Sequence, residues 1–167
     1  MREFTLVQDI AGTVDEHWRT FFDPAFEQVI VKAMKFRLYE VVARDEDDSA
    51  LTQKTRAVPR WDIAAVLGKL FGASPGYVEE GRFDKAARIW RTSTIPDSLA
   101  DKITCEMVMR MEPVDDTRSR RVLDFKIEAR VRGLGGMVES SLEKNLRNGW
   151  RDSGEFISRY IADKRGG

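Results

Sequence analysis

The residue types that most often bind metals or carry catalysis are scarce in this 167-residue chain. His17 is its only histidine and Cys105 its only cysteine, so a zinc site of thiolates and imidazoles is all but excluded. A Ser-His-Asp triad would have to use His17, and no Gly-x-Ser-x-Gly turn accompanies it. We therefore predict that His17 is a packing or surface residue, and that the protein uses no metal and no cofactor.

The acidic residues leave one catalytic alternative open. A pair of carboxyl groups can act as general acid and base, and the chain has 28 Asp and Glu residues to supply one. Their spacing does not single out any pair. The sequence therefore predicts no particular catalytic residue.

A glycine-rich stretch, Gly133-Leu134-Gly135-Gly136, precedes the longest helical pattern. Helix N-termini attract anions, but this stretch lacks the Gly-Lys-Ser/Thr ending of a nucleotide-binding loop. We interpret it as a joint between a strand and a helix, where glycine permits a sharp turn. The nearby Arg130 and Arg132 fit two interpretations, as contacts to an anionic headgroup or as ordinary outward-facing residues.

The helical pattern itself runs from Gly133 to Lys164 and would be roughly 40 Å long. Its apolar residues recur mostly four apart and define one face: Val138, Leu142, Leu146, Trp150, Ile157 and Ile161. Gly149 and Gly154 each cost about 1 kcal/mol relative to alanine in a helix. Either they allow close packing against another element, or with Ser153 they leave room beside Trp150 for a ligand.

The elements that must position these residues are mostly strands. Alternating polar and apolar residues predict an opening strand at residues 2–10, followed by two short helices capped by Thr13 and Asp23. About six further strands follow before the long helix. Two of them, at 103–111 and 121–131, have an apolar face that includes Met107, Met109, Phe125 and Ile127.

An apolar insertion, residues 61–72, interrupts the strands. It has helical spacing of large side chains, namely Trp61, Ile63, Val66, Leu67, Leu70 and Phe71. The insertion is either a fixed cover over one end of the core or a mobile lid that admits an apolar ligand or touches a membrane. Arg56, Arg60 and Lys69 nearby would suit an anionic surface.

Composition limits the remaining possibilities. Basic and acidic residues number 28 each, which argues against a nucleic-acid binder that works through bulk charge. No apolar run approaches the ~18 residues of a membrane span, and the start shows no signal-peptide core. We expect one domain, residues 1–167, in a reducing compartment, and therefore a cytoplasmic protein.

The order of elements resembles the helix-grip fold of the START-like (SRPBCC) superfamily. Weaker similarities link the insertion at 61–72, the strand Tyr77-Val78-Glu79-Glu80-Gly81, the strand 90–96 and the Gly135-Gly136 helix entry to PRELI-type phospholipid carriers and to bacterial START-like proteins of unknown function. The resemblance implies an α+β fold in which a curved antiparallel sheet of about six or seven strands surrounds the C-terminal helix. It also implies an apolar cavity between them.

These observations predict non-catalytic binding, or transfer, of a lipid or other hydrophobic small molecule. The residues predicted to contact it are Met107, Met109, Phe125, Ile127, Leu142, Leu146, Gly149, Trp150 and Ser153. Two alternatives stay open: an enzyme of the cyclase or dehydratase type, which needs His17 or a carboxylate pointing into the cavity, and a co-chaperone-like module with a filled core. The ligand and the oligomeric state are not predicted.

Overall fold

The computed structural model describes residues 1–63, 65–72 and 75–167. Its helices are α1 (Val14–Phe21), α2 (Pro24–Ala33), α3 (Ala65–Phe71) and α4 (Gly135–Gly166). Its strands are β1 (Arg2–Ile10), β2 (Leu38–Glu46), β3 (Ala50–Val58), β4 (Tyr77–Asp84), β5 (Ile89–Pro96), β6 (Ile103–Pro113) and β7 (Ser119–Ala129). This arrangement confirms the predicted α+β helix-grip fold, with two short helices after the first strand.

Local sequence signals set the ends of the helices. The Thr13 side chain accepts a hydrogen bond from the backbone N–H of Glu16, and the Glu16 carboxylate accepts one from the N–H of Thr13, which completes a capping box. Asp23 caps α2 with Pro24 at its first position. Gly133 has a φ of +76°, a conformation that glycine adopts readily, and this turn leads the chain from β7 into α4.

The seven strands form one antiparallel sheet in the order β1-β7-β6-β5-β4-β3-β2. Along β6 and β7 the predicted apolar face is the buried one, and the alternate residues face outward. Its members pack with Phe4, Trp18 and Trp90 in the main core cluster. The two faces of the sheet therefore agree with the alternation in the sequence.

Helix α4 packs on one side of the sheet, against β1 and β7. Gln8 on β1 donates a hydrogen bond from Nε2 to the carbonyl oxygen of Trp150 at 2.6 Å. Arg121 on β7 donates from Nε to the Gln8 Oε1 at 2.7 Å and from Nη2 to the same Trp150 carbonyl at 3.2 Å. These bonds fix the middle of α4 over the first and last strands of the chain.

The two helix glycines have different surroundings. A Cβ at Gly154 would lie 2.7 Å from the Gln8 Oε1 and 3.0 Å from the Arg121 Nη2, so this glycine permits the hydrogen-bonded contact with the sheet. A Cβ at Gly149 would have no atom of another element within 4 Å. Close packing thus explains Gly154, whereas Gly149 faces open space.

Several predicted boundaries are wrong. Within the described part of the insertion the helix is Ala65–Phe71, preceded by a lead-in, Trp61–Ile63, without regular secondary structure. Ala64 within the insertion, and Ala73 and Ser74 on its flank, lie outside the described residues. Strand β5 starts at Ile89, because Arg88 has a φ of 57° and its N–H bonds the Asp84 carbonyl in a turn. Strand β6 extends to Pro113 rather than 111, and β7 is Ser119–Ala129 rather than 121–131, with Ser119 paired to Ile10.

Across the described part of the chain, no helix combines the length and the apolar character that crossing a membrane requires.

We expect alanine at the two helix glycines to have opposite effects on stability. Gly154→Ala should lower the free energy of unfolding by about 1 kcal/mol, since the strain of overpacking exceeds the gain in helix propensity. Gly149→Ala should raise it by up to about 1 kcal/mol, because only the propensity changes. Urea unfolding of both variants measures the difference, and equal effects would contradict the assigned role of Gly154.

Candidate ligand-binding site

A pocket of about 440 Å³ lies between α4 and the part of the sheet formed by β2–β5 and the start of β6. Helices α1 and α2 close one side of it, and the segment from Pro59 to Phe71 closes another. The pocket lies here because α4 packs on β1 and β7, so that the curved sheet moves away from the helix towards β2. Its size falls within the range of small-molecule sites, about 300–1,000 Å³.

The walls of the pocket are mostly apolar and aromatic. Three of the four tryptophans, Trp61, Trp90 and Trp150, line it. Gly81 has a specific role, because a Cβ there would lie 2.1 Å from the Trp90 ring. The absence of a side chain on β4 at this point lets the indole of β5 lie across the inner face of the sheet. The other large apolar lining residues include Phe21, Phe22, Phe26, Ile30, Phe36, Leu142 and Leu146.

One row of the sheet floor is polar. Thr55 on β3 pairs with Glu79 on β4, Glu79 pairs with Thr94 on β5, and Thr94 pairs with Cys105 on β6. Directly paired residues share a face, so these four side chains form a line across the concave side of the sheet. Glu79, Thr94 and Cys105 line the pocket. We call Thr55, Glu79, Thr94 and Cys105 the polar row.

Glu79 is the unusual member of the polar row. Among the described residues its carboxyl group has neither an ion pair nor a hydrogen bond, although the residue is half-buried and lines the pocket. Loss of hydration raises the pKa of Glu79 from its ordinary value of 4.5 to about 7. A desolvated acid without a partner marks a candidate functional group.

The groups around Glu79 are neutral. Burial, followed by the nearby Glu79 charge, raises the pKa of Tyr39 and of Tyr77. Burial and the nearby Glu79 charge likewise raise the pKa of the Cys105 thiol, to about 12. The thiol is therefore not a nucleophile near neutral pH. Thr55 hydrogen-bonds the Tyr39 hydroxyl and accepts a bond from Gln53 Nε2 at 3.2 Å. Glu79 thus has polar neighbours and no cationic one.

The mouth of the pocket is polar. The described lining residues with exposed side chains are Arg60, Asp62, Asn148 and Asp152, from the segment after β3 and the middle of α4. Lys144 Nζ lies 3.4 Å from the Asp62 carboxylate, and Arg151 Nε lies 3.4 Å from that of Asp152. Carboxylates at the entrance therefore have cationic neighbours, unlike Glu79 inside.

The insertion forms one side of the pocket. Trp61, Ile63 and Phe71 line the pocket, while Leu67 is fully buried in a cluster with Leu70. Asn145 on α4 holds the lead-in by two bonds of 3.0 Å: its Oδ1 accepts from the Asp62 N–H and its Nδ2 donates to the Asp62 carbonyl. Whether the cover opens stays a prediction.

The insertion offers little for a membrane to bind. Val66 is the one exposed side chain of its six apolar residues. Arg56 makes two hydrogen bonds of 2.7 and 2.8 Å to the Asp97 carboxylate, and the Arg60 Nε donates to the Lys35 carbonyl. Two of the three cations predicted to meet an anionic surface are thus already engaged.

The structure divides the predicted contact residues into two groups. Five from α4 line the pocket: Leu142, Leu146, Gly149, Trp150 and Ser153. Four from the sheet lie outside its lining and pack in the core instead: Met107, Met109, Phe125 and Ile127. The reason is that these four lie where α1 packs on β6 and α4 packs on β7, whereas Ile103 and Cys105 near the start of β6 do line the pocket. Contact between a ligand and these four residues stays a prediction, and their absence from the pocket lining gives it no support.

Sequence reasoning missed the polar row, although one signal was available. Glu79 and Glu80 are adjacent within a strand, and adjacent strand residues point to opposite faces. In a sheet with one covered face, one of the two carboxylates must point inward. Glu80 is the exposed one and lies 3.4 Å from Lys54, which leaves Glu79 on the inner face.

His17 is buried and lies outside the pocket lining. Its ring stacks on Phe21 and meets Trp18 edge-on, with centroid distances of 5.8 and 5.0 Å. Burial, together with the Arg121 charge, lowers the pKa of His17 well below its ordinary value. The histidine is therefore a neutral packing residue, in agreement with the sequence.

Comparison with known proteins places the chain in a family and a fold. The family model described as "Protein of unknown function (DUF2505)" matches residues 5–161. No curated protein matches. A START superfamily protein from Mycobacterium smegmatis superposes with a TM-score of 0.60 at 13% identity, over 93% of this chain and 98% of that one.

Two enzymes have similar structures. The Zhui aromatase/cyclase from Streptomyces sp. R1128 gives a TM-score of 0.64 at 16% identity and covers 92% of this chain and 93% of its own. Norcoclaurine synthase from Thalictrum flavum, in complex with dopamine and hydroxybenzaldehyde, gives a TM-score of 0.66 at 12% identity. The match covers 97% of this chain and 87% of that one. At these identities the likeness establishes the START-like fold and nothing finer. The resemblance to PRELI-type carriers stays a prediction.

We expect ionisation of Glu79 to lower the stability of the protein as the pH rises from about 4.5 through about 7, whereas His17, which is neutral when folded, acts in the opposite direction below about pH 6.5. The folded protein holds the Glu79 proton more tightly than the unfolded chain, so ionisation in that window favours unfolding, by on the order of 3 kcal/mol. Glu79→Gln removes the Glu79 contribution and keeps that of His17, so its stability relative to the unsubstituted protein should rise between pH 5 and pH 8, and it should be the more stable protein at pH 8. Urea unfolding at pH 5 and pH 8 measures both effects.

Glu80→Gln is the matched control, because Glu80 is the next residue of the same strand and faces solvent. It should keep the pH dependence of the unsubstituted protein. A pH dependence unchanged in Glu79→Gln would show that other groups cause it.

Proposed function

We propose that this chain binds a hydrophobic small molecule non-covalently in the pocket. The chain belongs to the DUF2505 family, because that family's model matches residues 5–161. The observation that carries the proposal is a pocket of about 440 Å³ with aromatic walls and one polar row on its floor. Small-molecule sites in general combine apolar walls with a few placed polar groups. The wall formed by α4 supplies Leu142, Leu146 and Trp150.

The driving force would be burial of apolar ligand surface, worth roughly 25 cal/mol per Å² before the cost of ordering the ligand. The wall is held in place independently of any ligand, because the Trp150 carbonyl accepts hydrogen bonds from Gln8 and Arg121. Phe125 packs behind the Trp150 ring, with centroids 6.3 Å apart. A preformed wall of this kind lowers the entropic cost of binding.

Native mass spectrometry of the delipidated protein tests the proposal. The protein is offered fatty acids, phospholipids, polycyclic aromatic compounds and long-chain amines and alcohols in turn. We expect a one-to-one complex with at least one class. Failure of every class to bind would overturn the proposal and would favour the alternative of an interaction module that binds through its surface.

A second function, acid–base catalysis on a bound substrate, is favoured by one observation. An enzyme on this fold requires a titratable group inside the pocket with an apolar shell, and Glu79 meets that condition while His17 does not. A carboxyl group with a pKa near 7 can both give and accept a proton at neutral pH. The two functions are distinguished by chromatography and mass spectrometry of the ligand recovered after long incubation with the protein. A carrier returns the ligand unchanged. An enzyme converts it, and the conversion should be lost in Glu79→Gln.

We expect Gly149→Leu to weaken binding of the ligand found in that screen by about tenfold or more. Gly149 lines the pocket, and open space lies where a side chain would extend, so leucine would occupy volume that the ligand needs. Isothermal titration calorimetry with the unsubstituted and substituted proteins measures the change.

Gly136→Leu provides the control for replacing a glycine of α4. Gly136 is exposed, lies outside the pocket lining, and also has open space around its Cβ position. Its affinity should be unchanged. Equal affinities in all three proteins would place the ligand elsewhere.

A further inference from the structure

We propose that the ligand of this pocket is a hydrophobic amine, held with its protonated nitrogen against the Glu79 carboxylate and its apolar body against the aromatic walls. The inference rests on the proposed binding function and specifies the chemical class of the ligand. It narrows the range of ligands that the fold alone would allow, because it favours cations over fatty acids and anionic phospholipids.

The first argument is the unpaired state of Glu79. Each of the other carboxylates of the described lining has a cation near it: Asp62 has Lys144, Asp152 has Arg151, and Glu27 feels the charge of Arg44. Glu79 has no such partner among the described residues. A carboxylate removed from water without a partner destabilises a protein unless something else supplies the opposite charge. A ligand cation would supply it.

The second argument is the sign of the charge around the pocket. Its described lining contains four carboxylates, Glu27, Asp62, Glu79 and Asp152, and one cation, Arg60. Arg60 is exposed at the mouth. An anionic headgroup placed on the floor would face Glu79 with no cation to neutralise it. The potential inside the pocket therefore opposes a carboxylate or phosphate and attracts an ammonium group.

The third argument is the chemistry of the neighbours of Glu79. An ammonium group donates three hydrogen bonds and accepts none. The polar row places the hydroxyl of Thr94 beside Glu79, and a hydroxyl oxygen can accept a bond. Tyr77 and Trp90 line the same floor, and aromatic rings attract cations through their faces. The floor thus offers acceptors and aromatic rings, which suits a cation.

The test compares ligands that share an apolar body and differ at one end. Dodecyl, naphthylmethyl and pyrenylmethyl compounds are each used as the amine, the alcohol and the carboxylic acid of the same body. Affinity at pH 7.5 is measured by calorimetry and by the fluorescence of the tryptophans, three of which line the pocket. We expect the amine of the best-fitting body to bind about tenfold or more tightly than its alcohol, and the acid to bind weakest.

Two variants assign the preference to Glu79. Glu79→Gln should lose about tenfold in affinity for the amine and keep its affinity for the alcohol, while a thermal unfolding scan shows that it is folded. Glu80→Gln, on the outer face, should behave as the unsubstituted protein does.

The outcomes separate this inference from the proposed function on which it rests. Alcohol binding as tight as amine binding, or an amine preference that survives Glu79→Gln, would overturn the inference and leave the proposed function standing. Absence of binding by every compound, together with the failure of the wider screen, would overturn both.

Discussion

A straight helix can follow a curved sheet over only part of its width, and in this protein the position of α4 is fixed at β1 and β7. The Trp150 carbonyl accepts hydrogen bonds from Gln8 and Arg121, and Gly154 allows the helix to approach those side chains. Arg121 is a fully buried cation whose partners are neutral oxygens, and desolvation lowers its pKa to about 9. It therefore stays charged near neutral pH and depends on these bonds, which makes the contact specific. The remaining half of the sheet, β2–β5, must be covered by shorter elements, and the pocket lies where they meet α4.

The floor of the pocket combines two opposing physical effects. Aromatic side chains from α1, α2 and β5 remove water from the region, and the same removal of water penalises the charge on Glu79. The surrounding hydroxyl and thiol groups are neutral and do not offset that penalty. The rule that charges are paired, which holds for many outward-facing residues of the sheet, is thus broken at Glu79, which unlike the buried Arg121 also lacks a hydrogen-bond partner among the described residues. Such exceptions are expected at functional sites rather than in ordinary cores.

Much of the fold could be predicted from the sequence because its signals are local. The capping box at Thr13 and Glu16, the Asp23-Pro24 helix start and the alternation along β7 each depend on a few adjacent residues. Which face of the sheet a strand residue occupies also follows from local alternation. The distance between that residue and a helix depends instead on the packing of the whole fold. Alternation correctly places Met107 and Phe125 on the inner face, and it cannot indicate that α1 and α4 cover that part of the sheet directly. The pocket lining was therefore predictable on α4 and not on the sheet, and Glu79 required the inference that adjacent carboxylates in a strand face opposite ways.

The polar row also bears on how relatives of this protein can diverge. Its four members, Thr55, Glu79, Thr94 and Cys105, come from four different strands, and their side chains take no part in the backbone pairing that holds the sheet together. A single substitution at Glu79, Thr94 or Cys105, the three members that line the pocket, would alter the shape or charge of the floor while the strand register stays as it is. Successive substitutions could thus change the preferred ligand in small steps on a constant backbone. In this fold, changes in ligand preference among relatives would concentrate at the positions of the polar row.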